Sequence, residues 1–294
     1  MRKQELGTIV SFISGVAFAT LAILAKFAYA GGANVPSVLF LRFSGAALLF
    51  WLYNLIKGKS DCYDRVTVLK LLLLGGAGYG SMSAFFLLAV SRIPASLAGM
   101  LLYLYPSLVS AVTVLLKMEK MNAQKGLALL TTFTGMVFVL GASFQKADLI
   151  GVLCAVGAAC VYTVYIVAGS RVIEPLEPVK ATTYVMAGGA LVYGLTGLLT
   201  GALSFDFAAL AWYSIGGMII FSTVLAVGCF WLGIKWIGPS KTSIISTVEP
   251  LATVVMARVV FEEVLTMLQL LGGVLILLGI VILQPAPAKE GPAG

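Results

Sequence analysis

Ten apolar runs fill this chain of 294 residues almost from end to end. A bilayer core about 30 Å thick is crossed by roughly 20 apolar residues in a helix. The runs at about 7–30, 36–56, 68–91, 94–116, 124–142, 149–170, 179–200, 211–234, 240–260 and 267–284 meet that length. The connections between them are short, so no stretch remains for a soluble domain. The first run is too long for a cleavable signal, and no small-residue cleavage site followed by a soluble domain is present. The fold class expected is an all-α integral membrane protein of ten transmembrane helices.

Composition excludes the alternatives. Only 11% of residues are charged, against about 25% in a soluble domain. A soluble fold, a disordered chain and a disulfide scaffold are all ruled out. The 32 glycines lie within the apolar runs, as in membrane helices. The net charge of +7 is no nucleic-acid signature, because Lys and Arg stand singly or in pairs and form no basic stripe. Histidine is absent, and Cys62, Cys154, Cys160 and Cys229 form no ligand spacing. No metal site, no cofactor and no Ser–His or Cys–His nucleophile is implied, and no enzyme is expected.

Basic residues set the orientation. With the N-terminus inside, fourteen of the 19 fall inside or at inner span ends. Arg92, Lys146 and Arg258 fall outside, while Lys26 and Arg42 remain within spans. Both termini are then cytoplasmic, in the cytoplasmic membrane of a bacterium.

The second half repeats the first at a constant shift. Gly7 pairs with Gly151, Ser96 with Ser240, Pro106 with Pro250, Glu119 with Glu263, and Phe86 with Phe230. Proline and glutamate are rare in spans, so these matches outweigh coincidence in an apolar alphabet. Residues 1–146 form the first repeat, 147–284 the second, and 285–294 a disordered cytoplasmic tail. Five spans is an odd number, so the copies enter the membrane with opposite orientation. Two inverted five-helix repeats are an architecture of secondary transporters, whose halves exchange conformations about a central site.

The segments "FLRFSGAALLF" (40–50), "YPSLVSAVTVLLKMEKMNAQKGLALL" (105–130) and "EPLATVVMARVVFEEVLTMLQLLGGVLILLGIVIL" (249–283) resemble the EamA-type branch of the drug/metabolite transporter superfamily. Arg42-Phe43 in span two matches the family pattern. So do Pro106 and Pro250 midway along spans four and nine, and Glu119 and Glu263 just after them. The resemblance implies a transporter, usually an exporter of small metabolites, without naming one substrate.

Glu249 is the most informative residue, because counting along its helix places it near the midplane. A carboxylate there costs about 2.5–3.5 kcal/mol on insertion scales and needs a partner, water or a proton. Thr242, Ser246 and Thr253 share its face and form a polar stripe. The stripe faces a wet cavity or the bundle interior. Glu249 is read as a substrate-ammonium or proton site, against a structural carboxyl bonded to a neighbouring helix. Its repeat partner is Tyr105. Pro106 and Pro250 kink their helices and each frees a carbonyl one turn earlier. Arg42, which keeps its charge, binds a substrate carboxylate, pairs with Glu249 or caps another helix. Lys26 is expected to snorkel to the interface. Arg258, Glu262 and Glu263 form an outer salt bridge or gate. Tyr79 and Ser83 on span three, Phe18, its partner Tyr162, and mid-span Trp231 suit a cavity for amphipathic or aromatic molecules. Gly76–Gly80, Gly197–Gly201 and Ser11–Gly15 are read as close-packing pairs.

The function expected is secondary export of a small metabolite such as an amino acid, by alternating access and with proton coupling at Glu249 open. Export of a lipophilic cation is the alternative, and a channel or membrane-embedded enzyme fits less well. The partners are a small-molecule substrate and the bilayer, with the oligomeric state left open.

Overall fold

The computed structural model describes residues 2–58, 63–117, 121–143, 148–173, 176–237, 242, 245–246 and 248–283. Glu119, Ser240, Lys146 and the tail 285–294 lie outside them. The described residues form ten helical spans: α1 (Arg2–Ala30), α2 (Val35–Ile56), α3 (Arg65–Arg92), α4 (Ala95–Leu115), α5 (Ala123–Ser143), α6 (Leu149–Ile173), α7 (Pro178–Thr200), α8 (Ala209–Ile237), α9 (Val248–Phe261) and α10 (Met267–Leu283). Seven of the described helices are long and apolar enough to cross a membrane, and α5 and α10 contain shorter apolar helices.

Local chemistry sets the ends. Asn34 caps α2 by accepting from the Ser37 amide, with Pro36 in the first turn. Asp64 caps α3 by accepting from Val66 and Thr67 amides. Glu177 does the same for α7, just before Pro178. Gly201 ends α7 in the left-handed conformation at φ 67°. A side chain there would meet nothing, so Gly201 is a terminator and not half of a close-packing pair.

Three spans are interrupted. α3 runs as Arg65–Leu73, a π-helical stretch Leu74–Gly80 and Ser81–Arg92. α8 carries its own π-helical stretch, Ile220–Leu225, between Ala209–Ile219 and Ala226–Ile237. These stretches sit at equivalent places in the two repeats. α4 breaks at Tyr103–Leu104 and restarts at Tyr105, with Pro106 in the new first turn. Proline here opens a second helical segment, in place of the kink in a continuous helix that the sequence predicts.

The packing exchanges partners between halves. α1 lies on α8 and α9, while α6 lies on α3 and α4. α2 packs with α7, and α5 with α10. Side chains repeat the exchange: Gly7 faces Trp236 and Ile237, and Gly151 faces Arg92 and Ile93. Each residue of one set stands 144 positions from its counterpart in the other. The two inverted repeats thus dock by copies of one contact. Gly15 meets Ser246 and Val248, so the Ser11–Gly15 pair does serve close packing.

Glu263 ties three helices at the end of the bundle remote from Arg2. Its carboxylate accepts from the Ala95 and Ser96 amides and the Ser96 hydroxyl, capping α4. Lys26 of α1 lies 3.6 Å away and also sits over the Phe261 ring. Lys26 is therefore an ion-pair partner, where the sequence favours snorkelling to the interface. Arg258 instead donates to the Glu262 carbonyl at 3.1 Å.

Candidate functional site

A cavity of about 240 Å³ lies between the repeats. Among the described residues, Glu249 of α9 is the one that brings a carboxylate to its lining, and no Lys or Arg lines it. Ser246 and Pro250 flank Glu249 on the same wall. Tyr79 and Ser83 enter from α3, Tyr105 from α4, Phe18 from α1, Tyr162 from α6 and Trp231 from α8. These nine residues are all expected on sequence grounds, and the fold brings them into one lining. Arg42 and Pro106 are outside it.

The walls are aromatic and connected. Tyr105 meets Tyr162 edge to face at 4.6 Å between centroids, and Tyr162 stacks on Tyr165 at 5.9 Å. Tyr79 closes the group, 5.6 Å from Tyr165 and 6.4 Å from Tyr162. Such faces carry negative quadrupole density and attract cations.

Tyr103 anchors the acidic end. Its hydroxyl donates to Glu249 Oε2 at 2.6 Å and lies 3.3 Å from the Ser246 carbonyl. Pro250 has no amide hydrogen, so the Ser246 carbonyl lacks its helical donor and takes the tyrosine instead. Thr253 turns its hydroxyl back to the Glu249 carbonyl at 3.0 Å. Ser246 Oγ is buried with no hydrogen-bond partner among the described residues, so a ligand can use it. Thr242 is buried away from this lining, where Ser11 donates to it at 3.5 Å. Tyr103 is absent from the sequence-based set. Its position three residues before Pro106, in a run otherwise rich in leucine, is the signal that points to it.

Arg42 lies behind the wall. It is 1% exposed, and its guanidinium sits 5.6 Å from the Phe43 ring centre and 5.9 Å from that of Tyr79. Nε donates to Thr223 Oγ1 at 3.1 Å, and Nη2 donates to the Tyr79 hydroxyl at 3.2 Å. Nη1 has no hydrogen-bond partner among the described residues. Tyr79 and Thr223 are equivalent positions of the two repeats, each in its π-helical stretch. Arg42 thus joins the two halves, and no ion pair with Glu249 forms. Among the described residues no three Cys, Asp or Glu side chains cluster as a metal site would require.

Comparison with known proteins places this geometry. The model of the EamA-like transporter family matches twice, over residues 5–141 and 149–284. The uncharacterized transporter YcbK of Bacillus subtilis (strain 168) is 28% identical, over 92% of this chain and 90% of its own. A second B. subtilis relative, the uncharacterized transporter YyaM, is 25% identical over 80% and 79%. An uncharacterized transporter of Archaeoglobus fulgidus is 26% identical over 71% and 75%. One crystal structure shares the fold with a TM-score of 0.66 at 19% identity, covering 95% of this chain and 96% of that one. Two matched halves cover nearly the whole sequence, and the chain belongs to the EamA-like transporter family.

Proposed function

We propose that this membrane transporter carries organic cations with an apolar or aromatic body, exporting them by alternating access. The observation that carries this reading is the charge of the cavity. Glu249 is its one charged lining residue among those described, tyrosine faces surround it, and the guanidinium of Arg42 is withheld behind Tyr79. A carboxylate in a place where water is scarce attracts a cation strongly, and aromatic rings add to that attraction without desolvating a second charge. Ser246 Oγ, without a partner among the described residues, offers an ammonium or hydroxyl a neutral polar contact. The inverted packing supports alternating access, with residues 1–146 and 147–284 as the exchanging units. The Glu263 tie of α1, α4 and α9 is then a closed gate at one end.

A zwitterion such as an amino acid is the second reading. The unpartnered Nη1 of Arg42 favours it, since a substrate carboxylate reaching past Tyr79 meets a free donor.

Binding of tetraphenylphosphonium to detergent-solubilised protein tests the first reading. Glu249→Gln is expected to weaken it at least about tenfold, equivalent to ~1.4 kcal/mol. In proteoliposomes, flux of the same ion is expected to saturate and show counterflow. Equal affinity in the wild type and the variant overturns cation recognition by Glu249.

A further inference from the structure

A second cavity lies beside the first. It is a crevice of about 680 Å³ between α2 and α8, floored by Pro178 and Val179 at the start of α7. Leu49, Tyr53, Leu225 and Leu232 on its rim are 37–45% exposed, so in a bilayer the crevice opens to acyl chains. It occupies the half of the bundle that holds the ends of α2 and α8 and the start of α7. Trp231 lines both this crevice and the central cavity. Its indole is the side chain shared by the two linings.

The repeat supplies a contrast. The interface of α3 with α7 is the counterpart of that between α8 and α2. There, a side chain on Gly75 would collide with the Val185 carbonyl and one on Gly188 with the Leu72 carbonyl, so the backbones are in contact. Tyr193 adds a hydrogen bond of 2.9 Å to the Gly80 carbonyl. Between α2 and α8 the crevice is open, and nothing among the described residues lies within 4 Å of a Cβ placed on Gly228. The two related interfaces therefore differ: α2 and α8 meet at Arg42–Thr223 and where Gly45 faces Ile219, and they part only beyond Thr223, where the crevice lies. An inverted-repeat carrier interchanges such arrangements during its cycle.

We propose that the α2–α8 crevice is the entry for the substrate from the bilayer, and that Trp231 is the door between the crevice and the Glu249 cavity. The occupant is the apolar body of a membrane-dissolved organic cation, which rests there on its way to Glu249. Charge agrees with this route. Glu177 stands at the crevice, Glu249 lies in the cavity beyond it, and among the described residues no Lys or Arg lines either space. The proposal rests on the cation reading and adds to it the phase from which the cation comes.

Two experiments on the full chain in proteoliposomes test it. In the first, Trp51, Trp212 and Trp236 are replaced by Phe, leaving Trp231 as the sole indole. Lipid brominated along the acyl chain is expected to quench its fluorescence, and tetraphenylphosphonium to relieve the quenching saturably. Absence of quenching shows the door is out of reach of lipid and overturns the proposal. Quenching that the cation does not relieve makes the crevice a lipid site and overturns it equally. In the second, Gly228→Leu fills the crevice. Uptake of tetraphenylphosphonium is expected to fall about tenfold, while its Kd in detergent stays within about twofold. Unchanged uptake, or affinity lost together with uptake, overturns the route. A wild type that binds no tetraphenylphosphonium fails the cation reading itself, an outcome separate from these.

Discussion

The hydroxyl of Tyr103 shares its one hydrogen between Glu249 Oε2 at 2.6 Å and, more weakly at 3.3 Å, the Ser246 carbonyl that Pro250 strips of its donor. One side chain of α4 thereby reaches both the carboxylate of α9 and the carbonyl just before that helix. Tyr103→Phe leaves a carbonyl and a carboxylate short of a donor in a dry wall, which costs ~1–3 kcal/mol. Thermal unfolding in detergent is expected to shift downward accordingly. An unchanged midpoint would show that water replaces the tyrosine without loss.

Arg42 offers a test by contrast. Its repeat equivalent is Met186, also buried. Arg42→Met removes a buried charge that has no carboxylate partner, so it relieves the desolvation of a cation and strands no opposite charge. Arg42→Lys keeps the charge but lacks the planar fork that reaches Thr223 and Tyr79 together. The Met variant is expected to melt at or above the wild type, and the Lys variant below it. Cation binding survives in the Met variant under the first functional reading, whereas a zwitterion loses affinity.

The exchanged helix contacts make matched substitutions informative. Gly7→Ala drives a methyl into Ile237, and Gly151→Ala drives one into Ile93. Overpacking of this kind costs about 1–3 kcal/mol. The two variants are expected to lose similar stability, and Gly228→Ala to lose none. A large inequality between the first two would show that the two docking sites differ in tightness.

A pH effect is expected where α3 meets α6. Arg92 donates to Asp148 at 2.9 Å and holds its carboxyl below the usual carboxylate range, helped by the Ile150 and Gly151 amides. A depressed folded pKa adds stability above the unfolded value, about 3.9, which is lost as pH falls through the lowered one. Both groups are exposed, so the effect is local. Protection of the Ile150 and Gly151 amides, taken relative to their intrinsic exchange rates, is expected to fall only at acid pH, and Asp148→Asn to abolish that dependence.

Proton coupling has its own variant. If Glu249 carries the proton, Glu249→Gln abolishes pH-gradient-driven transport and spares exchange of substrate across the membrane. Unchanged gradient-driven uptake in proteoliposomes would sink that role.

The legible part of this protein follows from costs that lipid makes large. A carboxylate or a proline within a span is expensive, so Glu249 and Pro250 stand out in the amino-acid sequence alone, and both reach the cavity. Gly201 marks a limit, because its spacing from Gly197 suggests close packing whereas the fold uses it to end α7. What escapes a linear reading depends on distance in three dimensions. Thr223 looks ordinary in an apolar run, and its importance comes from facing Arg42 across helices. Arg42 shows the converse. Its depth is readable but the side it faces is not, because Tyr79 intervenes only once α3 acquires its π-helical stretch.

Those two stretches, in α3 and α8, have a mechanical meaning. A π turn carries one residue more than the helix around it needs. Like a dislocation in a crystal, the surplus can travel along the helix by swapping one hydrogen bond at a time. Everything beyond it then rotates by about a quarter turn, since an α-helix advances roughly 100° per residue. Helices so equipped can re-aim Tyr79 and Thr223 without melting, and Arg42 bonds to both of those residues.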